Sequence, residues 1–210
     1  MEHIQIPNEN CNKCHRLELL RSKNKQKYPA WHNAPVNSFG DVYGNLLIVG
    51  LAPGLNGANR TGIPFTGDNS GDLLFKMLSR FNFSINKNLS NTEMIKLKNC
   101  RITNAVRCLP PSNKPIQSEV KNCSVFLKNE IDTMKNLKFI LALGKVAHDA
   151  IISVFEKTKS QYKFGHNNQY NLGNIKLIDS YHCSRYNLNT RRLTVDMFRR
   201  VFQEIVINLD

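Results

Sequence analysis

The sequence contains no apolar run approaching the roughly 18 residues that a membrane span requires. Its longest dense stretch, Leu46 to Ala52, is the length of a strand. It is also short of acidic residues: 16 Asp and Glu stand against 29 Lys and Arg, a formal net charge of +13. The N-terminal Met-Glu-His-Ile-Gln-Ile-Pro has neither the basic start nor the apolar segment of a secretory signal. These absences lead to the expectation of a soluble, cytoplasmic protein in the reducing interior, with no membrane as partner. Two phosphate-binding fingerprints are missing as well, since no Gly-Lys-Ser/Thr stands at P-loop spacing and no GxGxxG occurs. What is present is globular in character: 41% hydrophobic and 21% charged residues in 210, enough for a single domain, 1–210, with a sizeable core. The excess of positive charge fits a polyanionic partner or serves solubility alone, and charge by itself leaves both readings open.

Strands and helices alternate along the chain, which argues for an α/β fold with a mainly parallel sheet. Leu46-Leu47-Ile48-Val49, closed by Gly50, is a continuous apolar run of the kind covered on both faces. Further strands are predicted at Arg101 to Val106, Lys138 to Leu143 and Ile175 to Ile178. Helices are predicted from a Ser70 cap to about Arg80, from Pro115 to about Met134, over Lys145 to Phe155, and after the Thr194 cap. The stretches Arg21 to Lys27, Asn82 to Asn91 and Gly165 to Asn174 read as surface loops. In parallel sheets chemistry gathers at the carboxyl ends of strands, so the loops Leu51 to Asn69, Arg107 to Lys114 and Ser180 to Arg192 are where a site is expected.

The six cysteines include one CxxC, Cys11-Asn12-Lys13-Cys14, followed at a distance by Cys108 and Cys123. Two thiolates at CxxC spacing converge on one metal, and two more brought in by folding complete a four-thiolate site. The spacing does not distinguish zinc from iron–sulfur, and Cys108 and Cys123 also read as ordinary small buried residues. Cys100 and Cys183 are left over, either of them a substitute for one of the four.

The first loop runs Gly50-Leu51-Ala52-Pro53-Gly54 through Asn59-Arg60-Thr61-Gly62-Ile63-Pro64-Phe65-Thr66-Gly67-Asp68. Its glycines and prolines permit unusual backbone angles and expose N–H groups to a ligand. Together with Asn104-Ala105-Val106-Arg107-Cys108 and Ser180-Tyr181-His182-Cys183-Ser184-Arg185, this loop resembles the motif set of the uracil-DNA glycosylase superfamily, in the form of its family 5, the type-b enzymes. The resemblance covers nearly the whole chain from Cys11 onward. It implies a three-layer α/β/α sandwich around a four-stranded parallel sheet, and a monofunctional enzyme that excises uracil, with hypoxanthine and other deaminated bases as further substrates. It also implies a [4Fe–4S] cluster held by Cys11, Cys14, Cys108 and Cys123, DNA containing uracil or another deaminated base as partner, and a monomer.

The residues fit that chemistry on their own terms. A glycosylase extrudes a nucleotide and breaks the C1′–N bond while charge develops on the departing base. Phe65 offers a face on which a base stacks, and the resemblance makes Gly50, Leu51 and Ala52 base-binding as well. The amide of Asn104 carries both donor and acceptor for a base edge. The imidazole of His182 can donate to a carbonyl oxygen of the leaving base. Asp68 either orients the water and stabilises a cationic sugar or caps the helix that follows. Arg60, Ser184, Arg185, Tyr186, Arg191 and Arg192 are candidates for contact with the strand, Arg185 or Tyr186 filling the gap left by the extruded base. Excess Lys and Arg should then concentrate on that face. Lys145 follows Gly144 at a helix start and is not expected to act as a Schiff-base lysine. Two rival readings remain: a family 4-like enzyme restricted to uracil, and a non-catalytic zinc-bound nucleic-acid-binding module.

Overall fold

The computed structural model describes residues 4–67, 69–85 and 96–209. Its centre is a six-stranded sheet in the order β1-β3-β2-β4-β6-β5, formed by β1 (Phe39–Gly40), β2 (Leu46–Gly50), β3 (Cys100–Asn104), β4 (Phe139–Leu143), β5 (Gln169–Leu172) and β6 (Ile175–Ser180). The four expected parallel strands are the inner four, β3-β2-β4-β6. The expectation of a four-stranded sheet is corrected by two short antiparallel edges, β1 on β3 and β5 on β6. Hydrophobic patterning marks neither of them, β1 because it is two residues long and β5 because its Gln-Tyr-Asn-Leu is mostly solvent-facing.

The inner strands are apolar on both faces because each face meets a helical layer. Leu46, Ile48, Phe139, Leu141 and Ile178 pack with α3 (Asn69–Arg80) and α7 (Val195–Ile207), while Leu47, Val49, Ile140, Ala142 and Leu177 pack with α4 (Gln117–Thr133) and α5 (Lys145–Val154). The Thr194 hydroxyl accepts from the Met197 amide at 3.1 Å and starts α7 as expected. Helix α3 begins at Asn69, so Ser70 stands inside the helix instead of capping it. Among the described residues no helix is long and apolar enough to cross a membrane.

Two stretches expected to be loops are structured. Arg21 to Lys27 belongs to α1 (His15–Lys27), and Gly165 to Asn174 contains β5. Of Asn82 to Asn91, residues 86–91 lie outside the described residues. Helix α1 has no apolar stripe: the side chains it buries are Leu17, Arg21 and Asn24. It is held by charge and hydrogen bonds, with Arg16 forking onto Glu119 of α4 at 2.7 and 2.8 Å. Glu119 also accepts the Ile116 amide at 2.9 Å, which satisfies an exposed donor at the start of α4.

Beneath this junction Glu130 is fully buried between two arginines, Arg101 at 2.6 Å and Arg107 at 2.5 Å. Arg101 also donates to the Gly40 carbonyl and the Ser38 hydroxyl, so one carboxylate ties α4 to β3 and to the segment around β1. On the other flank His148 is fully buried, hydrogen-bonded to Asp179 through one ring nitrogen and donating from the other to the Tyr162 carbonyl, each at 2.8 Å. Burial alone would lower its pKa, and the bond to Asp179 outweighs that and raises it. Burial raises the Asp179 pKa as well, so the two groups share this buried site as a hydrogen-bonded pair.

Burial likewise would raise the Glu130 pKa, but Arg107 and then Arg101 hold it below the ordinary carboxylate range. Its stabilising contribution is therefore present above its unfolded pKa of about 4.3 and is lost as pH falls through the lower folded value. Glu130→Ala, which strands two buried guanidinium groups, should cost about 3 to 5 kcal/mol at neutral pH. Urea unfolding against pH checks both points, since the variant should lose part of the acid limb seen in the parent chain.

Candidate active site

The strand order reverses at β2: the chain passes from β2 to β3 on one side and returns past β2 to β4 on the other. Open α/β sheets bind ligands in the crevice at the carboxyl ends of strands flanking such a reversal. Here the crevice is a cavity of about 320 Å³ lined by Leu51, Ala52, Pro53, Gly54, Ala58, Phe65, Ser70, Asn104, Asn113, His182 and Ser184. That is the small end of the range for ligand pockets, roughly 300 to 1,000 Å³.

The pocket floor is set by parallel pairing, which places Gly50 directly beside Asn104. A side chain at Gly50 has no room, because its Cβ would stand 2.4 Å from Asn104 Oδ1 and 2.7 Å from the Phe65 ring. Phe65 takes a left-handed backbone angle, φ +59°, which turns its ring in over Gly50. A Cβ at Gly71 would lie 1.7 Å from the Phe65 carbonyl oxygen, so the first turn of α3 also needs glycine for this approach. Phe65 and Asn104 are both buried, which positions them by packing before any ligand arrives. The rings of Phe65 and His182 lie 5.8 Å apart and 23° from parallel. Both rings line the same cavity.

His182 follows β6 and is fixed through its backbone, its carbonyl accepting from Asn187 Nδ2 at 2.8 Å. Asn187 lies in α6 (Arg185–Asn189), which Ser184 caps by accepting the Asn187 amide at 3.4 Å. This helix presents Arg185 and a Tyr186 that is 72% exposed beside the pocket. Arg192 lies over the Tyr181 ring at 4.8 Å, and Arg191 is exposed with φ +56°. Arg60 is exposed on α2 (Ala58–Thr61) and donates to the Asn56 carbonyl at 3.0 Å. Basic side chains are not confined to this face, for Lys138 and Lys176 stand at the opposite edge of the sheet, at the amino ends of β4 and β6. Asp68 lies outside the described residues. Lys145 is exposed and paired with Asp149 at 2.7 Å on its own helix, as a surface lysine would be.

Three pocket residues carry no motif signal of their own. Asn113 comes from the loop after β3, where it and Ser112 both take positive φ. Ala58 and Ser70 line the cavity from α2 and α3. Two prolines followed by Ser112-Asn113 are a readable turn signal; the aim of that turn into the pocket is not readable.

Cys11, Cys14, Cys108 and Cys123 line one small cavity with Leu17, Arg21, Arg107 and Asn122. Three of the sulfurs are met by donors: the Arg107 amide reaches Cys123 at 3.3 Å, Asn122 reaches Cys14 at 3.7 Å and Arg21 reaches Cys108 at 3.7 Å. Burial pushes the Cys108 thiol up to about 12 and the Cys123 thiol up to about 11. Among the described residues no group of His, Cys, Asp or Glu side chains is arranged to hold a single metal ion. The two remaining cysteines lie elsewhere. Cys100 opens β3 in the core, and Cys183, next to His182, is buried and donates to the Ser70 carbonyl at 3.2 Å.

Fold and pocket together define an α/β protein with a small cavity, part aromatic and part polar, at the carboxyl ends of a parallel sheet. Residues 38–206 match the family model of the Uracil DNA glycosylase superfamily. A Type-5 uracil-DNA glycosylase of Thermus thermophilus is 38% identical over 201 residues, covering 92% of this chain and 91% of the relative. One from Pyrobaculum aerophilum is 37% identical and covers 92% and 87%. A Type-4 uracil-DNA glycosylase of the same organism is 30% identical over a shorter span, 65% of this chain and 63% of the relative. The chain belongs to the uracil DNA glycosylase superfamily.

Gly50→Ala tests the pocket floor. Forcing Asn104 and Phe65 apart should lower stability by about 1 to 3 kcal/mol, measured as a fall in denaturation midpoint. An unchanged midpoint would show that the floor can yield.

Proposed function

We propose that the protein hydrolyses the N-glycosidic bond of uracil in DNA, leaving an abasic site in an uncut strand and so opening base excision repair. The observation that carries this reading is the meeting of Phe65, Asn104 and His182 in one small cavity at the carboxyl ends of the strands. The Type-5 relatives, which align over nearly the full chain, support it. An extruded uracil lies against the Phe65 ring, its amide edge toward Asn104. As the C1′–N bond breaks, its electron pair moves onto the base. The His182 imidazole is placed to donate to the carbonyl oxygen where that charge gathers. Water adds its oxygen to C1′, and its proton goes to solvent or to the departing base. Asp68 is assigned to orient that water or to cap α3. Other deaminated bases such as hypoxanthine enter the same pocket in this reading.

The four cysteines fit a [4Fe–4S] cluster. A cluster is held at its corners, so its thiolates surround a volume instead of meeting at a point. Donors to the sulfurs, as found from Arg107, Asn122 and Arg21, are what tune and retain such a group. When bound it would crosslink the N-terminal segment to α4 and the loop after β3, with no part in bond cleavage.

His182→Ala and Asn104→Ala should each lower single-turnover release of uracil from an oligonucleotide by about 10²-fold, with denaturation midpoints near that of the parent. Release undiminished in both variants removes the mechanism. Asp68→Ala separates its two roles: lost activity at retained stability assigns it to water, and lost stability at retained activity assigns it to the helix. Purified protein should be brown, with iron and acid-labile sulfide, whereas stoichiometric zinc without sulfide would replace the cluster. Activity on a hypoxanthine duplex distinguishes the broad enzyme from a uracil-restricted one.

A further inference from the structure

Apart from the contact of Arg21 with Cys108, the basic run Arg21 to Lys27 has no part in the chemistry above, yet the structure gives it a fixed shape and place. It forms the last two turns of α1, where positive charge is favoured by the helix dipole. One face is pinned: Arg21 donates to the Cys11 carbonyl and the Cys108 sulfur, and Asn24 is buried. Lys23, Lys25 and Lys27 are all exposed on the remainder. None of them joins an ion pair among the described residues. A solvated helix that only sought solubility would mix signs through short-range pairs; here the sole acid of the helix, Glu18, sits in the opposite turn.

The helix is also fastened to the pocket loop. Tyr28 ends it, its amide bonded to the Asn24 carbonyl at 2.7 Å, and its ring stacks on Trp31 at 4.0 Å and 7°, with the Lys27 ammonium 5.2 Å from the Tyr28 ring centre. From this rigid turn the chain pairs with α2. The amides of His32 and Asn33 donate to the carbonyls of Arg60 and Asn59 at 3.1 and 3.0 Å. Asn59 Nδ2 donates to Asn33 Oδ1 at 2.9 Å, and Asn33 Nδ2 returns to the Tyr28 carbonyl at 2.7 Å. Both asparagines are buried. His32 fills the space over Gly62, where a Cβ would approach its ring to 3.0 Å. The same α2 carries Ala58 into the pocket and Arg60 to the surface.

We infer that the C-terminal half of α1 is a phosphate-contacting arm on the flank of the lesion, held in register with the pocket by the Asn33–Asn59 pair. Its partner is duplex DNA, engaged through the backbone without reading sequence. The arm from Arg21 to Lys27 is about 10 Å long, the span of about three nucleotide steps. The inference rests on the reading of the pocket as a DNA-lesion pocket.

The test uses undamaged duplex, so it reads the arm whether or not the chain excises uracil; excision is measured separately on a uracil oligonucleotide. The triple variant Lys23→Gln, Lys25→Gln, Lys27→Gln keeps good helix formers while removing three charges. Its control, Lys138→Gln, Lys157→Gln, Lys159→Gln, removes three from the opposite edge of the sheet and the turn after α5. Binding is followed by fluorescence anisotropy from 50 to 200 mM salt. The arm variant should bind at least tenfold more weakly at low salt, and the slope of log affinity against log salt should shrink by about 2 to 3, at about 0.9 for each phosphate no longer neutralised. The control should keep the parent slope. Equal slopes for the two variants overturn the arm. A reduced slope with no uracil release from the parent chain would instead retain the arm as a DNA-binding element and overturn the lesion pocket.

Discussion

A missing side chain at position 50 is the constraint on which the pocket depends. Parallel strands at their usual separation bring residue 104 beside residue 50, and only because Gly50 has no Cβ can the Asn104 amide lean across it. The Phe65 ring then descends on the same bare backbone from the other side. That descent requires the left-handed turn at Phe65 and the close approach at Gly71. The unusual angles therefore serve one end, to place an aromatic face and an amide within a single small volume. The strain persists because both side chains are buried, and burial of the Phe65 ring offsets a backbone cost of order 1 to 3 kcal/mol.

The segment before β1, residues 4–38, is organised differently. It adds little to either apolar cluster, and what holds it is polar: Arg16 on Glu119, Arg21 on the cysteine cavity, the asparagine pair on α2. Such contacts are individually modest in water and become specific only where several share a buried neighbourhood. Glu130 supplies that neighbourhood, since Arg107, which it orients, also gives its backbone amide to Cys123 and its carbonyl to Val36. A crosslink through four thiolates would do for this region what the apolar core does for the sheet.

Elements whose pattern follows from burial are readable in the chain. Leu46 to Val49 and Phe139 to Leu143 are apolar at every position because both faces are covered, and α7 carries a stripe because one face is. Helix α1 is not readable, because the face it buries is Leu17, Arg21 and Asn24, and no hydropathy rule marks an arginine as interior. Edge strand β5 escapes for the same reason in reverse, its exposure leaving it with the composition of a loop. At the site, the motif loops point to Phe65, Asn104 and His182, all three of which meet in the pocket, while Asn113 reaches it from a proline turn that has no motif of its own.

By itself, then, the sequence determined which residue types carry the chemistry and the order in which the motif blocks occur, because those properties are local and survive in the chain unfolded. It also determined the parallel core, since two-sided burial writes itself into composition. Tertiary structure decided the distances. That Phe65 closes over Gly50 beside Asn104 follows from strand register and from a glycine with no room for a methyl group. Spacing left Cys100 and Cys183 as substitutes, the motif resemblance named Cys11, Cys14, Cys108 and Cys123, and packing puts those four around one cavity. Contacts between residues a hundred positions apart depend on how layers pack, and no local pattern encodes them.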